Sequence, residues 1–211
     1  MAADRGQGLD TMSVGVLTHA RETGGHRTQF RADKWDADQV AWARRRLDIP
    51  RRIEPSAKSF RELKLRPFET YLKEDCNLIL DAGWQLLMNG LAGSAITKFS
   101  STVGRIGGGI SATANAYTFT DMQAATGAAN RQWELVSSTP TVGATHITGL
   151  IFAATFPTTD GNFAWAEFAV DQGTAGGTGA AVATCLLRGT ASPGTKTSAQ
   201  TWNVTVTIGW T

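Results

Sequence analysis

The strongest constraint on the fold is a two-residue alternation close to the C-terminus. In residues 202–210 (WNVTVTIGW), every second residue is apolar: Trp202, Val204, Val206, Ile208 and Trp210. Successive side chains of a β-strand point to opposite faces of its sheet, so this pattern predicts a strand with one buried face. The five apolar residues are expected to pack either in a core or at an oligomer interface.

Further segments with strand character occur across the second half of the chain, at 102–107, 131–137, 146–156, 163–170 and 181–188. The pair Asp160-Gly161, between the third and fourth of these, is a strong signal for a β-hairpin turn. Many short strands joined by Gly-rich links, without alternation of helix and strand, are typical of antiparallel sandwiches and barrels. The predicted fold is therefore mainly β, with an antiparallel β-sandwich or jelly-roll-like C-terminal domain.

Charged residues are distributed very unevenly along the 211 residues. Residues 1–75 contain 15 Lys or Arg and 12 Asp or Glu, whereas residues 92–211 contain five of each kind. The net charge of +2 is too small to predict a nucleic-acid or membrane-surface binder from the whole chain. The composition step predicts two parts, an extended, charged N-terminal arm (1–70) and a helix plus all-β domain (71–211).

The arm contains candidate contacts for a partner. A short helix is predicted at 36–47, with Asp36 or Asp38 as its N-cap and Pro50 beyond its end. The candidate partner-binding residues are two tryptophans, two runs of arginine and five spaced apolar anchors: Trp35, Trp42, Arg44, Arg45, Arg46, Arg51, Arg52, Ile53, Phe60, Leu63, Leu65 and Phe68. Interspersed acidic residues favour a protein surface over nucleic acid as the partner, and a solvated helix face is the alternative.

The most regular helical pattern lies at 71–91. Its apolar positions follow the spacing of one helix face: Leu72, Cys76, Ile79, Leu80, Gly83, Leu87 and Leu91. An amphipathic helix of this kind is expected to pack on its own domain. This helix would therefore introduce the β domain.

No segment has the spacing of a known cofactor or metal site. The stretch GRIGGG at 104–109 lacks the pattern of a phosphate-binding loop, and its glycines are expected at a strand end or bulge. His19, His26 and His146 do not combine with a cysteine at a familiar metal-ligand spacing. Cys76 and Cys185 are isolated, which suits a reduced site of synthesis, and their pairing stays open. We therefore expect no cofactor and no bound metal.

Three acidic residues, Asp160, Glu167 and Asp171, flank the predicted hairpin. Paired carboxylates can hydrolyse glycosides, and a hydrolase would need Asp160, Glu167 or His146 to converge in one cleft. Asp is also favoured at turns for backbone reasons, and this explanation is the simpler one. We therefore expect no catalytic site and no small-molecule substrate.

Several stretches between residues 77 and 211 form a recognisable set: NLILDAGWQLLMNGLAG, FSSTVGRIGGGISATA, DMQAATG, NRQWELVSSTP, ITGLIFAATFPTTDGNFAWAEFAVDQG, LLRGTASPGTK and TWNVTVTIGW. Together they resemble structural proteins of tailed bacteriophages, which are described as minor capsid, capsid decoration or tail-fibre-like components. The resemblance implies a virion protein that contacts the major capsid protein. Because decoration proteins of such particles commonly form trimers, it also implies a homotrimer. Residues 1–70 carry no part of this resemblance.

The function implied by the resemblance is a capsid decoration, or cement, protein. Its arm would lie along neighbouring capsid subunits and gain affinity from spaced apolar anchors. The alternative is a tail-fibre or host-receptor-binding module. The sequence shows no signal peptide and no apolar stretch of ~18 residues, so synthesis in the host cytoplasm and no contact with membranes are expected.

Overall fold

The structure is a computed structural model that describes residues 26–75, 77–143, 149–181 and 184–210. In chain order the elements are β1 (His26–Asp36), α1 (Ala37–Arg46), α2 (Ala57–Glu62), β2 (Glu69–Glu74), β3 (Asn77–Ile79), α3 (Asp81–Leu91), β4 (Arg105–Gly109), β5 (Arg131–Leu135), β6 (Thr141–Val142), β7 (Leu150–Phe156), β8 (Ala164–Asp171), β9 (Cys185–Thr195) and β10 (Gln200–Trp210). The strands form two antiparallel sheets of five strands each, in the orders β2-β1-β10-β7-β6 and β3-β9-β8-β4-β5. The predicted mainly β, sandwich-like fold is confirmed.

The predicted strand at 202–210 is the central strand of the first sheet. β10 pairs with β1 on one side and with β7 on the other. Trp202, Val204, Val206 and Ile208 are buried in the core between the sheets, so their alternation reflects core packing and not an oligomer surface. Trp210 lies opposite His26 at the end of the strand, and its side chain lies outside the described residues.

Aromatic residues from both sheets fill the core. Trp165 of β8 packs against Trp202 of β10 and against Phe156 of β7, with ring centroids 5.4 and 4.7 Å apart. Phe30 of β1 packs against Phe168 of β8 at 4.5 Å. Tilted and edge-on ring pairs of this kind add to the free energy gained from burying apolar area. They join the two sheets through four different strands.

The structure corrects the predicted arm from residue 26 onward. β1 lies between β10 and β2, and Phe30 and Ala32 are buried in the core. Arg31 and Asp33 lie on the opposite face of β1 and form an ion pair with each other. Their charges give this stretch the composition of a charged arm, although its other face is apolar. The proposed boundary at residue 70 falls inside β2. Residues 1–25 of the predicted arm lie outside the described residues.

The two predicted helices have different outcomes. The helix at 36–47 is confirmed as α1, with Asp36 as its N-cap in a reciprocal capping box with Gln39. The helix predicted over 71–91 is wrong in its first half, where the chain forms β2 and β3. Asp75 has a φ of 49°, which ends β2. Residues 69–74 pair with β1 as an edge strand, so only the second half forms helix α3.

The predicted hairpin at Asp160-Gly161 is also wrong. β7 belongs to the first sheet and β8 to the second, so the turn carries the chain from one sheet to the other. Asp160 donates its backbone N–H to Pro157, and Gly161 adopts a φ of 71° that favours glycine. The turn signal is correct, but turn chemistry does not specify which strand a following strand will pair with.

Two glycines of GRIGGG lie at the ends of β4, as predicted: Gly104 precedes the strand with a φ of 140°, and Gly109 is its last residue. Gly107 and Gly108 instead lie inside the strand. A Cβ on Gly107 would lie 2.6 Å from the Trp133 ring, and one on Gly108 would lie 2.4 Å from the Trp165 ring. The two indoles pack against the strand on opposite faces. Glycine is required here because any side chain would displace a buried tryptophan.

Candidate functional site

A short helical segment lies on the outer face of the first sheet. Trp35, the last apolar residue of β1, stacks on Phe60 of α2 with ring centroids 3.9 Å apart and planes 6° apart. Val40 and Ala43 of α1 complete this buried cluster, and Leu63 and Leu65 pack against it. α1 and α2 are therefore held on the protein's own sheet.

This packing divides the predicted partner-binding residues into two groups. Trp35, Phe60, Leu63 and Leu65 belong to the internal cluster, so the structure corrects their proposed role as anchors on a partner. Trp42, Ile53 and Phe68 are 41%, 49% and 47% exposed. Sequence spacing cannot separate the groups, because both contain large apolar residues in the same charged context.

Arg44 differs from the other arginines of this segment. Its guanidinium is 2.7 Å from Glu54, and its Nε donates to the carbonyl of Ile53. Glu54 also accepts a hydrogen bond from Thr201 of β10. These contacts connect the turn at 50–54 to α1 and to the sheet, so the turn has a defined place on the surface.

Arg45, Arg46, Arg51 and Arg52 are exposed. Within the described part of the chain, none of them has an ion-pair partner. Arg45 and Arg51 line one shallow depression beside Asp48. We call Trp42, Arg45, Arg46, Arg51, Arg52 and Ile53 the basic patch. Basic residues in the last turn of α1 also complement the helix dipole, so part of their role is local.

A second surface feature is an apolar groove of about 580 Å³ beside α3. Its walls come from α3, from the segment after it, from the residue before β6 and from the first residue of β7: Trp84, Leu86, Leu87, Met88, Gly90, Leu91, Ile96, Thr97, Lys98, Phe99, Pro140 and Leu150. We call these residues the apolar groove. The sequence pattern of α3 predicts an apolar face, but the groove depends on residues as far apart as Trp84 and Leu150 and has no linear signal.

Two of the three carboxylates considered for catalysis, Glu167 and Asp171, are used in internal ion pairs. Glu167 is 2.7 Å from Arg188, and both side chains are completely buried. Asp171 accepts from Arg105 Nε at 2.8 Å. Both groups are engaged below the surface and lack access to a substrate. His146 lies outside the described residues.

Asp160 lies near a different carboxyl group, that of Glu134 on β5. Burial, opposed by a hydrogen bond from Gln132 and reinforced by Asp160, raises the pKa of Glu134 to about 7. Burial also lowers the pKa of Lys196 to about 8, although Asp160 opposes this shift. Lys196 Nζ donates to the Pro157 carbonyl and to Asn162. These groups hold the connection between β7 and β8 in place.

Cys185 is a buried free thiol that faces the loop-covered side of the second sheet. Burial raises its pKa above the usual range, so the reactive thiolate is disfavoured. Cys76 lies outside the described residues. Among the described residues, no three His, Cys, Asp or Glu side chains are grouped to hold a metal ion.

No helix in the described ranges is long and apolar enough to cross a membrane. No family model, curated protein or solved structure matches this chain. The candidate functional surfaces are therefore the basic patch and the apolar groove, both of which suit binding.

Proposed function

We propose that this protein is a structural component of a tailed-phage virion, a capsid decoration protein that binds the major capsid protein through the basic patch. The observation that carries the proposal is the set of four exposed arginines that form no ion pair with any residue the structure describes, next to the exposed Trp42 and Ile53. Arg and Trp are the residue types enriched at the energetic centres of protein interfaces. The matching surface of the major capsid protein would be acidic and would have apolar pockets.

Internal contacts hold the basic patch in place, which supports a role in binding. The Trp35–Phe60 stack holds α1 and α2 on the sheet, and the Arg44–Glu54 pair holds the turn. A preformed surface loses less conformational entropy on binding than a flexible arm does. The partner contact would therefore be made by a folded helical segment and not by an extended arm.

The phage assignment rests on the resemblance of residues 77–211 to virion structural proteins. The buried pairing of the charged residues on the second sheet is compatible with a structural role, since it leaves the carboxylates Glu167 and Asp171 without solvent access. The proposal includes a homotrimer on the outer capsid surface and a location in the virion.

The proposal is tested by binding the purified full chain to capsids isolated from the particles that carry it. The double variant R51E/R52E is expected to weaken binding about ten-fold or more, because charge complementarity steers and orients association. The control is K58E/R61E, which makes the same charge change on the exposed side of α2. Equal loss in both variants, or none in either, would contradict the role of the basic patch.

Location is tested separately by antibody labelling of intact particles in electron micrographs. Label over the whole capsid surface supports decoration. Label confined to the tail would overturn the proposal and favour the tail-fibre alternative. The oligomeric state follows from the mass of the purified chain measured by light scattering, with a trimer expected.

A further inference from the structure

The apolar groove exposes side chains that a folded chain normally covers. Leu91 is 81% exposed and Met88 is 48% exposed, and both line the groove next to Trp84 and Phe99. Contiguous apolar surface of this kind marks a contact with another segment or molecule.

The strand registers place the start of β1 at the same end of the molecule as the groove. Leu150, which lines the groove, pairs with Ile208 of β10, and Ile208 pairs with Thr28 of β1. Neighbouring strands lie about 4.8 Å apart, so β1 is about 10 Å from β7 at this level. The chain that precedes His26 therefore joins the sheet beside the groove.

The first 25 residues contain one apolar cluster close to this junction. Met12, Val14, Val16 and Leu17 lie within six positions, in a segment otherwise rich in Gly, Ala and charged residues. Residues 18–25 connect this cluster to β1. An extended chain covers about 3.3 Å per residue, so this connection can span about 25 Å, which exceeds the separation of β1 from β7.

We propose that residues 12–17 of the same chain bind in the apolar groove. The short connection gives the segment an effective concentration in the millimolar range, which favours it over a segment from another molecule. The apolar residues of this segment are complementary to the groove, whose lining is apolar except for Thr97 and Lys98. This inference does not depend on the function proposed above.

A site-specific crosslink in the full chain provides the direct test. A photoreactive phenylalanine analogue at position 14 is expected to form crosslinks within one molecule to α3 or to residues 96–99. The same analogue at position 3 is the control and is expected to give few crosslinks there. Crosslinks from position 14 to other regions, or mainly between two molecules, would overturn the proposal.

Dye binding provides a second, independent readout. In V14D/V16D, the groove is expected to open, so an apolar fluorescent dye should show about a two-fold or larger increase in bound signal. A2D/A3D adds the same charge to the same segment outside the cluster and should leave the signal unchanged. Adding L91D to V14D/V16D should reverse the increase. An unchanged signal in V14D/V16D would mean that another segment, such as 144–148, covers the groove, and would contradict the proposal.

Discussion

Arg188 and Glu167 form an ion pair on neighbouring strands whose two side chains are both completely buried. Glu167 also accepts hydrogen bonds from the backbone N–H groups of Gln123 and Ala124, and Arg188 donates to the carbonyl of Thr113. The pair therefore connects the outer face of the second sheet to the long loop between β4 and β5. The two charges compensate each other, and the hydrogen bonds with the loop satisfy further polar atoms of the pair.

Replacing Glu167 by Gln is expected to lower the free energy of unfolding by about 3–5 kcal/mol, because Arg188 is left as an uncompensated buried charge. The matched control is E62Q, which removes the exposed pair between Lys58 and Glu62 and should cost less than about 1 kcal/mol. Urea unfolding curves of the two variants give both values. Equal losses would mean that burial does not determine the contribution of the Arg188 pair.

Gly83 is expected to tolerate no side chain, although it lies in a helix. A Cβ at this position would lie 2.1 Å from the carbonyl oxygen of Leu186, so α3 would have to move away from β9. G83A should therefore destabilise by about 1–3 kcal/mol or more, whereas Ala for Gly in an open helix stabilises by about 1 kcal/mol. Thermal or urea unfolding measures the change in the free energy of unfolding, and its sign distinguishes close contact from an open helix.

The control for this prediction is Gly179, where a Cβ would meet no atom within 4 Å. G179A should change the free energy of unfolding by less than about 0.5 kcal/mol. Stabilisation by G83A would show that α3 is not in close contact with β9.

Phe60 and Phe68 were predicted to have the same role, and the structure separates them. Phe60 is buried against Trp35, whereas Phe68 is largely exposed. F60A should cost about 3–5 kcal/mol, as for other buried aromatic residues, and F68A less than about 1 kcal/mol. Denaturant unfolding monitored by tryptophan fluorescence distinguishes the two. Comparable losses would mean that the helical segment is not held by the Trp35–Phe60 stack.

The raised pKa of Glu134 predicts a pH dependence of stability. Burial, reinforced by Asp160, raises it from 4.5 to about 7, so the folded state binds more protons than the unfolded state between these values. The free energy of unfolding should therefore fall as the pH rises through this window. E134Q should lose this part of the pH dependence, as measured by urea unfolding at pH 5 and pH 7.5.

Urea unfolding for this prediction is measured below pH 8 because Lys196 titrates at higher pH. The pKa of Lys196 is lowered from 10.5 to about 8 by burial, so its contribution changes with the opposite sign at higher pH. The same slope in wild type and E134Q would show that Glu134 is not the titrating group.

Local pattern predicted the elements whose signals are local. The alternation at 202–210 predicts β10, and the Asp36 capping residue predicts α1, since both depend on neighbours within a few residues. The helix predicted at 71–91 was wrong in its first half because residues 69–74 pair with β1 as an edge strand. The apolar spacing of Leu72, Ile79 and Leu80 fits one helix face, yet the ladder with a distant strand decides the structure.

The candidate site was predictable only in part for a similar reason. The arginine runs and Trp42 were identified from the sequence as partner contacts, and all of them except Arg44 are exposed. Trp35 and Phe60 were placed in the same group, because only their mutual stacking across 25 positions shows that they are internal. The apolar groove was missed because its walls come from segments far apart in the chain.

The mainly β, antiparallel character of the chain follows from the sequence alone, since side-chain alternation, turn residues and glycine content are properties of neighbouring residues. The tertiary structure decided which strands are partners and which charges are buried. β1 joins β10 across about 170 positions, and Arg188 meets Glu167 only when β8 and β9 are paired. Such pairings depend on many weak packing and hydrogen-bond contributions from the whole sheet, so they cannot be predicted from any one segment of the sequence.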